Sequence, residues 1–204
     1  PLICFDLGGV VVRICRSWDE GCQAAGIPVR APERREATRA LRQQVILGYQ
    51  TGRLTCDDFA ERVSAILDGV YTPREIMAVH AAWILGEYPG MKALIDEIHE
   101  RGLDTGVLSN TNHAHWMQLS SMPAFTSLRN RHASHLLRLH KPDPAIYRAF
   151  EEAVNRPAHE ILFFDDLPEN VDAARAAGWR AEPIDPAGDS AAQVRRVLMD
   201  LELL

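Results

Sequence analysis

Short apolar runs that end on a polar residue recur along the chain. They cover residues 2–6 (LICFD), 104–109 (DTGVLS) and 161–165 (ILFFD), and a weaker run covers residues 180–184 (RAEPI). Apolar runs of this length, bounded by polar and turn residues, are typical of strands. The pattern therefore predicts at least four strands.

Helical periodicity fills the intervals between these runs. The apolar residues of 91–98 recur at i, i+3, i+4 and i+7, and Gly102 ends that helix. The same spacing follows in residues 146–153, and a third helix begins at Pro168 and ends at Gly178. Strands that alternate with helices predict a parallel sheet covered on both faces, which is a doubly wound, Rossmann-like α/β fold.

Residues 14–86 follow a different pattern, with amphipathic helices and no convincing strand. Apolar side chains between Phe59 and Val70 form one stripe, and the helix-capping sequence LTCDD precedes it. We therefore predict a Rossmann-like core domain of residues 1–13 and 87–204, with residues 14–86 inserted after the first strand as a helical cap over one end of the sheet.

Composition and charge narrow the class of protein. The 204 residues are 47% hydrophobic and 25% charged, as in ordinary globular proteins, and the net charge is −6. An acidic chain argues against nucleic acid or an anionic membrane as partner. No apolar run reaches the roughly 20 residues of a membrane span, and no basic segment precedes the first strand. The four cysteines lack CxxC spacing, so we expect reduced thiols and a cytoplasmic protein.

Polar residues stand where the predicted strands end. Asp6 ends the first strand, Ser109 ends the second, Asp165 and Asp166 end the third, and Lys141 stands just before a helix. Ligands of open α/β sheets bind beyond the carboxyl ends of the strands, so we expect these residues to meet. Neighbouring carboxylates repel unless a cation neutralises them, and oxygen ligands favour Mg²⁺. Mg²⁺ with a lysine and backbone amides can bind phosphate oxygens.

Four motifs in this order resemble the haloacid dehalogenase superfamily. They are FDLGGVVV, GVLSNTN, KPDPAIY and FFDDLPENVDAARAAG, and together they span nearly the whole chain. The first motif is most similar to the branch that reads DLGG or DLGN, which includes bacterial sugar-1-phosphatases. The resemblance implies a Rossmann-like core, a small helical cap after the first motif, and Mg²⁺-dependent hydrolysis of a small phosphorylated metabolite, such as a sugar phosphate.

The resemblance also implies a role for each matching residue. Asp6 would be the nucleophile that forms an aspartyl-phosphate, and it would bind Mg²⁺ together with the Gly8 carbonyl and Asp166. Asp165 and Asn170 would orient that site. The remaining implied contacts are to the transferring phosphoryl group, from Ser109, Lys141, Asn110 and the backbone of Gly8 and Gly9.

One position departs from the family pattern. Most related phosphatases carry a general acid two residues after the nucleophile, where this chain has Gly8. A positioned proton donor contributes about 10²–10⁴-fold in rate. Three interpretations stay open: a substrate with a good leaving group, such as a sugar 1-phosphate; a proton donor elsewhere, such as Asp165 or a cap residue; or a protein that binds phosphate without turnover. The resembled DLGN phosphatases share the gap, which favours the first.

Other members of the superfamily supply the competing functions. A hydrolytic dehalogenase uses the same aspartate nucleophile but needs no metal, so the intact cluster of Asp165, Asp166 and Asn170 argues against it. Phosphonate hydrolysis requires a cap lysine, and residues 14–86 contain none.

Two features lie outside the motifs. Relatives place glycine three residues before the lysine, where this chain has Arg138, which either alters the turn or reaches the substrate. No acid occurs between Asp104 and Asp143, whereas arginines and five histidines do, so we hypothesise that this stretch makes the mouth of the site positive, with Arg129 and Arg131 contributing. An inert solvated loop is nearly as well supported, and the histidine spacing does not make a complete zinc site.

Specificity is expected in the cap. Arg13, Arg16 and Trp18 follow the first motif closely, and Trp83 stands near the return to the core. We take Arg13 and Trp18 as candidate substrate-binding residues. A small cap that closes over the site favours a small-molecule substrate over a macromolecule. Oligomeric state is not predictable from the sequence.

Overall fold

The computed structural model describes residues 1–204 and contains seven strands and twelve α-helices. The strands are β1 (Leu2–Phe5), β2 (Val12–Ile14), β3 (Ile84–Glu87), β4 (Asp104–Ser109), β5 (Asn130–Ala133), β6 (Ile161–Asp165) and β7 (Arg180–Pro183). The first six helices are α1 (Trp18–Ala24), α2 (Pro32–Ala37), α3 (Arg39–Gln50), α4 (Cys56–Ile66), α5 (Pro73–Ala81) and α6 (Met91–Glu100). The others are α7 (His113–Leu119), α8 (Pro123–Ser127), α9 (Ser134–Leu137), α10 (Pro144–Val154), α11 (Pro168–Ala176) and α12 (Ser190–Asp200).

The main sheet has five parallel strands in the order β5-β4-β1-β6-β7. β1 lies in the middle and is buried throughout, because helices cover both faces of the sheet. Its side chains alternate between two apolar clusters: Ile3 and Phe5 pack with α6 and α12, whereas Leu2 and Cys4 pack with α10 and α11. This is the predicted Rossmann-like α/β fold.

The strand predictions hold where the sequence is apolar. β4 and β6 have the predicted bounds, and β1 and β7 end one residue early. β5 was missed because it is an edge strand of mixed polar residues, NRHA. Also missed was a separate two-stranded antiparallel ribbon, in which β2 pairs with β3.

Helices α1–α5 form one helical segment, residues 18–81, with an apolar cluster of its own. That cluster has nine buried residues, among them Tyr49, Phe59, Tyr71 and Val79. α4 begins at the expected capping sequence, where Thr55 and Asp58 form a reciprocal capping box. The β2–β3 ribbon lies where the chain enters and leaves this segment. The division into residues 1–13 and 87–204 as core and 14–86 as cap stays a prediction.

Two further properties concern the whole chain. All four cysteines are free thiols, and three of them are buried. No helix has both the length and the apolar character needed to cross a lipid bilayer.

Candidate active site

The polar strand ends meet at one edge of the sheet. Asp6 directly follows β1, and Ser109 and Asp165 end the neighbouring strands β4 and β6. The parallel register aligns Phe5 with Val107 and Phe164, so the three polar side chains leave the sheet side by side. Asp6, Ser109 and Asp165 are all buried, at 8%, 3% and 0% exposure. The strand-end prediction therefore identified a real cluster.

Lys141 connects two of these carboxylates. Its side chain is fully buried, and its Nζ lies 3.0 Å from Oδ1 of Asp6 and 2.5 Å from Oδ2 of Asp165. Burial alone lowers the pKa of a lysine, but the charges of Asp165 and Asp6 outweigh that effect and raise the pKa of Lys141. Lys141 is therefore a fixed positive charge beside Asp6.

Burial also acts on Asp6 itself. The pKa of Asp6 is raised to about 6: desolvation is the largest cause, Lys141 and the Ser109 hydroxyl oppose it, and Asp165 and Asp166 add to it. At neutral pH most Asp6 carboxyls are then ionised, as a nucleophile requires.

Asp165 is held by its surroundings on every side. Its two oxygens accept hydrogen bonds from the amide of Asn170, each at 3.0 Å, and Oδ1 also accepts from the Leu167 backbone N–H. With Lys141 on Oδ2 and no exposed surface, this carboxylate has no free position facing a substrate. These contacts suit Asp165 to orienting Lys141 and argue against it as the missing proton donor, and both roles stay predictions.

Asp166 faces a different partner. Its Oδ2 accepts a hydrogen bond of 2.6 Å from Nη1 of Arg16. The sequence did not indicate this pairing. Burial raises the pKa of Asp166, although Arg16 acts against this. The pairing shows that the Asp166 carboxylate attracts a cation.

The donor set suits a hard divalent cation. Carboxylate oxygens of Asp6, Asp165 and Asp166 lie within 4.8 Å of one another. Asp6 Oδ1 is buried and accepts no hydrogen bond of good geometry, despite its proximity to Lys141. The Gly8 carbonyl is likewise free of backbone partners. Three clustered carboxylates with a spare buried oxygen are the chemistry that Mg²⁺ binds.

The turn after β1 depends on Gly9. Its φ is +86°, in the left-handed region, and a Cβ there would lie 2.6 Å from Cγ of Asp166. The second glycine of the DLGG motif is thus required both by backbone conformation and by the space that Asp166 occupies.

Asn110 contacts the backbone of Lys141. Its Oδ1 accepts from the Lys141 backbone N–H at 2.8 Å, and its Nδ2 donates to the Lys141 carbonyl at 2.9 Å. The side chain therefore positions Lys141, and a contact between Asn110 and substrate stays a prediction.

A cavity of about 750 Å³ opens at this site and extends under the helical segment. Gly8 and Asn110 line it on one side, and Trp18, Trp83 and helix α3 line it on the other. Trp18 is where the sequence analysis expected a substrate contact.

Arg13 is not at the cavity. Val12 and Ile14 line it, and because side chains alternate along a strand, Arg13 of β2 points to the opposite, exposed face. Arg13 is therefore outside this cavity, and its contact with substrate stays a prediction.

The structure adds cavity residues that sequence reasoning missed. Arg35, Arg39 and Arg42 line the cavity, and so does His80 of α5. Positions 35, 39 and 42 follow an i, i+4, i+7 spacing in the sequence, although the structure places Arg35 on α2 and the other two on α3. Without the fold, such a row is indistinguishable from a solvated face.

The acid-free stretch does not form a positive mouth through Arg129 and Arg131. Arg129 lies near Asp104, 3.7 Å away, and Asp104 begins β4 at the end opposite Ser109. Arg131 packs over the ring of Phe125. Arg129 is therefore roughly the length of β4, about 15 Å, from the site, whereas Arg131 of β5 pairs with Val107 and its guanidinium is taken up by the Phe125 ring.

Arg138 stands where related proteins have a glycine, three residues before Lys141, and its backbone conformation explains how the turn is kept. It is exposed and adopts φ +57°, the left-handed conformation that glycine takes most easily. The turn before Lys141 therefore keeps a glycine-like geometry, and Arg138 points to solvent. No histidine belongs to a cluster with metal-ligand geometry.

Comparisons with known proteins agree with this geometry. A family model described as haloacid dehalogenase-like hydrolase matches residues 1–178. The protein named Phosphatase MT3486 of Mycobacterium tuberculosis is 28% identical over 98% of this chain and 94% of its own length. A magnesium complex of the HAD family enzyme BT-2542 from Bacteroides thetaiotaomicron superposes with a TM-score of 0.78 at 20% identity, covering 95% of this chain and 98% of that one. A dehalogenase structure superposes with a TM-score of 0.68 at 16% identity, covering 97% and 96%.

Proposed function

The chain belongs to the haloacid dehalogenase-like hydrolases, and from that premise we propose that it is a Mg²⁺-dependent phosphomonoesterase acting on a small phosphorylated metabolite. The observation that carries the proposal is the pairing of Asp6 with Lys141 inside a cluster of three carboxylates. A buried ammonium beside an ionised carboxylate can hold the phosphoryl oxygens while that carboxylate attacks phosphorus. The similarity to a protein named as a phosphatase supports the same class.

Each residue then has a task in the reaction. Asp6 attacks phosphorus as the bond to the substrate alcohol breaks, and water then hydrolyses the aspartyl-phosphate to phosphate and free Asp6, while Lys141 and Ser109 hold the transferring oxygens. Asp6, Asp166 and the Gly8 carbonyl would hold Mg²⁺, which when bound offsets the negative charge of the phosphate and of the carboxylates. Asn170 and Lys141 keep Asp165 in place, and Asp165 in turn fixes Lys141. Gly9 leaves room for the Asp166 carboxylate beside the turn.

The lack of a proton donor for the leaving group restricts the class of substrate. Gly8 offers none, and Asp165 is saturated with hydrogen bonds. A sugar 1-phosphate suits this site, because its anomeric oxygen is less basic than an ordinary alkoxide and needs less protonation. We propose that the helical segment acts as a cap that closes over such a substrate. A cytoplasmic location stays a prediction.

The decisive experiment compares turnover with and without the metal. We expect hydrolysis of p-nitrophenyl phosphate and of glucose 1-phosphate that requires Mg²⁺ and stops in EDTA. The p-nitrophenolate leaving group needs little protonation, so the lack of an acid at Gly8 does not conceal activity. Asp6→Asn is expected to lower kcat by about 10³-fold or more. Asp172→Asn, at an exposed position of α11, is the matched control and keeps full activity.

Two outcomes contradict this function. Release of halide from a 2-haloacid without added metal indicates a dehalogenase. A folded protein that turns over neither class of substrate, whatever the metal, indicates a phosphate-binding protein without catalysis. Mass spectrometry of acid-quenched enzyme, which detects a phosphoryl group on Asp6 in the wild type, separates slow turnover from none.

A further inference from the structure

The cavity wall formed by the helical segment is positively charged. Its lining contains four arginines and two acids, Asp19 and Glu36. Two of the arginines are already paired, since Arg16 binds Asp166 and Arg35 binds Asp19. Arg42 contacts no carboxylate, and its guanidinium donates to the carbonyl of Arg35. The cavity therefore carries positive charge beyond what the protein neutralises.

Buried donors without partners mark the same wall. Nε of Arg35, Nε of Arg42 and Nε1 of Trp18 are all buried and make no hydrogen bond. The Arg35 side chain is only 10% exposed. An unpartnered buried polar group is costly, so three beside one cavity demand an explanation. All three are donors, and acceptor oxygens of a group inserted between these side chains would supply the missing partners.

The positive charges around Arg42 also favour the binding of an anion. Burial lowers the pKa of Arg42, the neighbouring Arg35 and Arg39 lower it further, and Glu36 opposes them. Such a group is stabilised when an anion enters. Arginine is also the side chain best suited to planar, two-point contacts with phosphate or carboxylate.

Helix α3 sets the distance between this wall and the reacting group. At its C-terminal end, Oε1 of Gln50 lies 2.9 Å from Nε2 of His140, the residue before Lys141. Arg42 lies eight residues earlier on the same helix, which corresponds to about 12 Å along its axis. A ligand that spans this length of α3 has two anionic groups on the order of 10 Å apart.

We propose that Arg35, Arg42 and Trp18 form a second anion site, which binds a phosphate or carboxylate on the part of the substrate that leaves. This inference rests on the proposed phosphatase function and names its substrate class: a phosphomonoester whose alcohol carries a further anionic group. A six-carbon sugar 1-phosphate with an anionic group at C6 has the required span. Trp18 and Trp83 supply apolar surface for the sugar between the two anions.

Three substrates that differ at C6 alone test the site. Glucose 1-phosphate carries a hydroxyl there, glucuronic acid 1-phosphate a carboxylate, and glucose 1,6-bisphosphate a phosphate. We expect kcat/KM for release of the C1 phosphate to be about 10- to 100-fold higher with an anionic C6 group than with the hydroxyl. A preference shared by both anions indicates recognition of charge, and one limited to the bisphosphate indicates a phosphate site.

Variants at Arg42 connect the preference to this wall. Arg42→Gln should reduce the ratio of kcat/KM between glucose 1,6-bisphosphate and glucose 1-phosphate by about tenfold or more. Arg42→Lys keeps the charge without the two-point geometry and should restore part of it. Arg62→Gln, on an exposed face of α4, is the matched control and should keep the wild-type ratio. Thermal unfolding of each variant verifies that it is folded.

Binding measurements separate the two proposals. If p-nitrophenyl phosphate is hydrolysed but the three sugar phosphates have equal kcat/KM, the second anion site is disproved and the phosphatase stands. If nothing is hydrolysed, calorimetry of glucose 1,6-bisphosphate binding still decides: weaker binding by Arg42→Gln than by Arg62→Gln supports the site, and equal binding overturns it.

Discussion

Single residues of this site act in pairs whose charges offset each other. Lys141 is buried between Asp6 and Asp165, and Arg16 stands against Asp166. Removing one member of a buried pair leaves an uncompensated charge, which is far costlier than the pair itself is stabilising. The positions of Asp6, Lys141 and Asp166 were predictable because each stands in a motif. The position of Arg16 against Asp166 was not, because 150 residues separate the two in the chain.

A stacked histidine pair beside the cavity gives the protein a pH-dependent stability. The rings of His80 and His115 stack at 3.8 Å, and Nε2 of His115 contacts the His80 carbonyl at 2.7 Å. Burial, and then the neighbouring His115, lower the pKa of His80 from 6.5 to about 3. Below pH 6.5, His80 is therefore protonated in the unfolded chain and neutral in the folded chain. The free energy of unfolding falls as pH decreases from 6.5 towards 3.

The expected slope is about 1.4 kcal/mol per pH unit from His80 alone, or about 2 kcal/mol between pH 6.5 and pH 5. Urea unfolding followed by tryptophan fluorescence at pH 7.5 and pH 5 measures it. His80→Gln should flatten the pH dependence by about that amount. His159→Gln, at an exposed position, should leave the wild-type dependence intact, and equal slopes in both variants would remove the attribution to His80.

At the scale of elements, the contact of α3 with the core is made by a few backbone groups. The Ser134 hydroxyl donates to the Gln50 carbonyl at 2.5 Å, just before α3 ends. Gly52 follows with φ +68°, and a Cβ there would lie 2.7 Å from the carbonyl oxygen of His135. The helix that carries Arg42 thus rests on the core through a position where no side chain fits.

Gly52→Ala should therefore destabilise the protein by more than backbone conformation alone explains. Gly69→Ala is the matched control, because Gly69 has φ +71° and nothing within 4 Å of a Cβ. We expect about 1–2 kcal/mol for Gly69→Ala from left-handed backbone strain, and a further 1–3 kcal/mol for Gly52→Ala from the collision with His135. Denaturant unfolding compares the two. Equal losses would show that α3 can shift without cost.

The elements were predictable in proportion to their burial. β1, β4 and β6 are apolar because helices cover both faces, and the sequence indicates all three. β5 contains Asn130 and His132, and β3 contains a glycine, so neither carries an apolar signal; their pairing partners, distant in the chain, make them strands. The row of arginines along α2 and α3 belongs to the same class, since its burial depends on a cavity that the whole fold creates.

At the scale of the whole molecule, the apolar interior is divided. Two clusters of 22 and 12 buried residues lie on the faces of the main sheet, whereas the helical segment has a cluster of nine. A small cluster buries less apolar surface, so the helical segment should open more readily than the sheet.

Native-state hydrogen exchange tests this difference. We expect the backbone amides of α4 to exchange with a lower opening free energy than those of β1 and β4, by a few kcal/mol. Residues of α6, which packs on the sheet, serve as the helical control and should match the strands. A single opening free energy throughout residues 1–204 would show that the two parts unfold together.

The β2–β3 ribbon determines how the helical segment can move relative to the sheet. Chain entry and chain exit are hydrogen-bonded to each other, with Val12 opposite Glu87 and Arg13 opposite Gly86. Two separate tethers would permit sliding and twisting in several directions. One paired tether favours a tilt of the helices over a sideways shift, because a shift would break the ribbon. If the helical segment is the cap that we propose, its arginines approach the cavity along one path only.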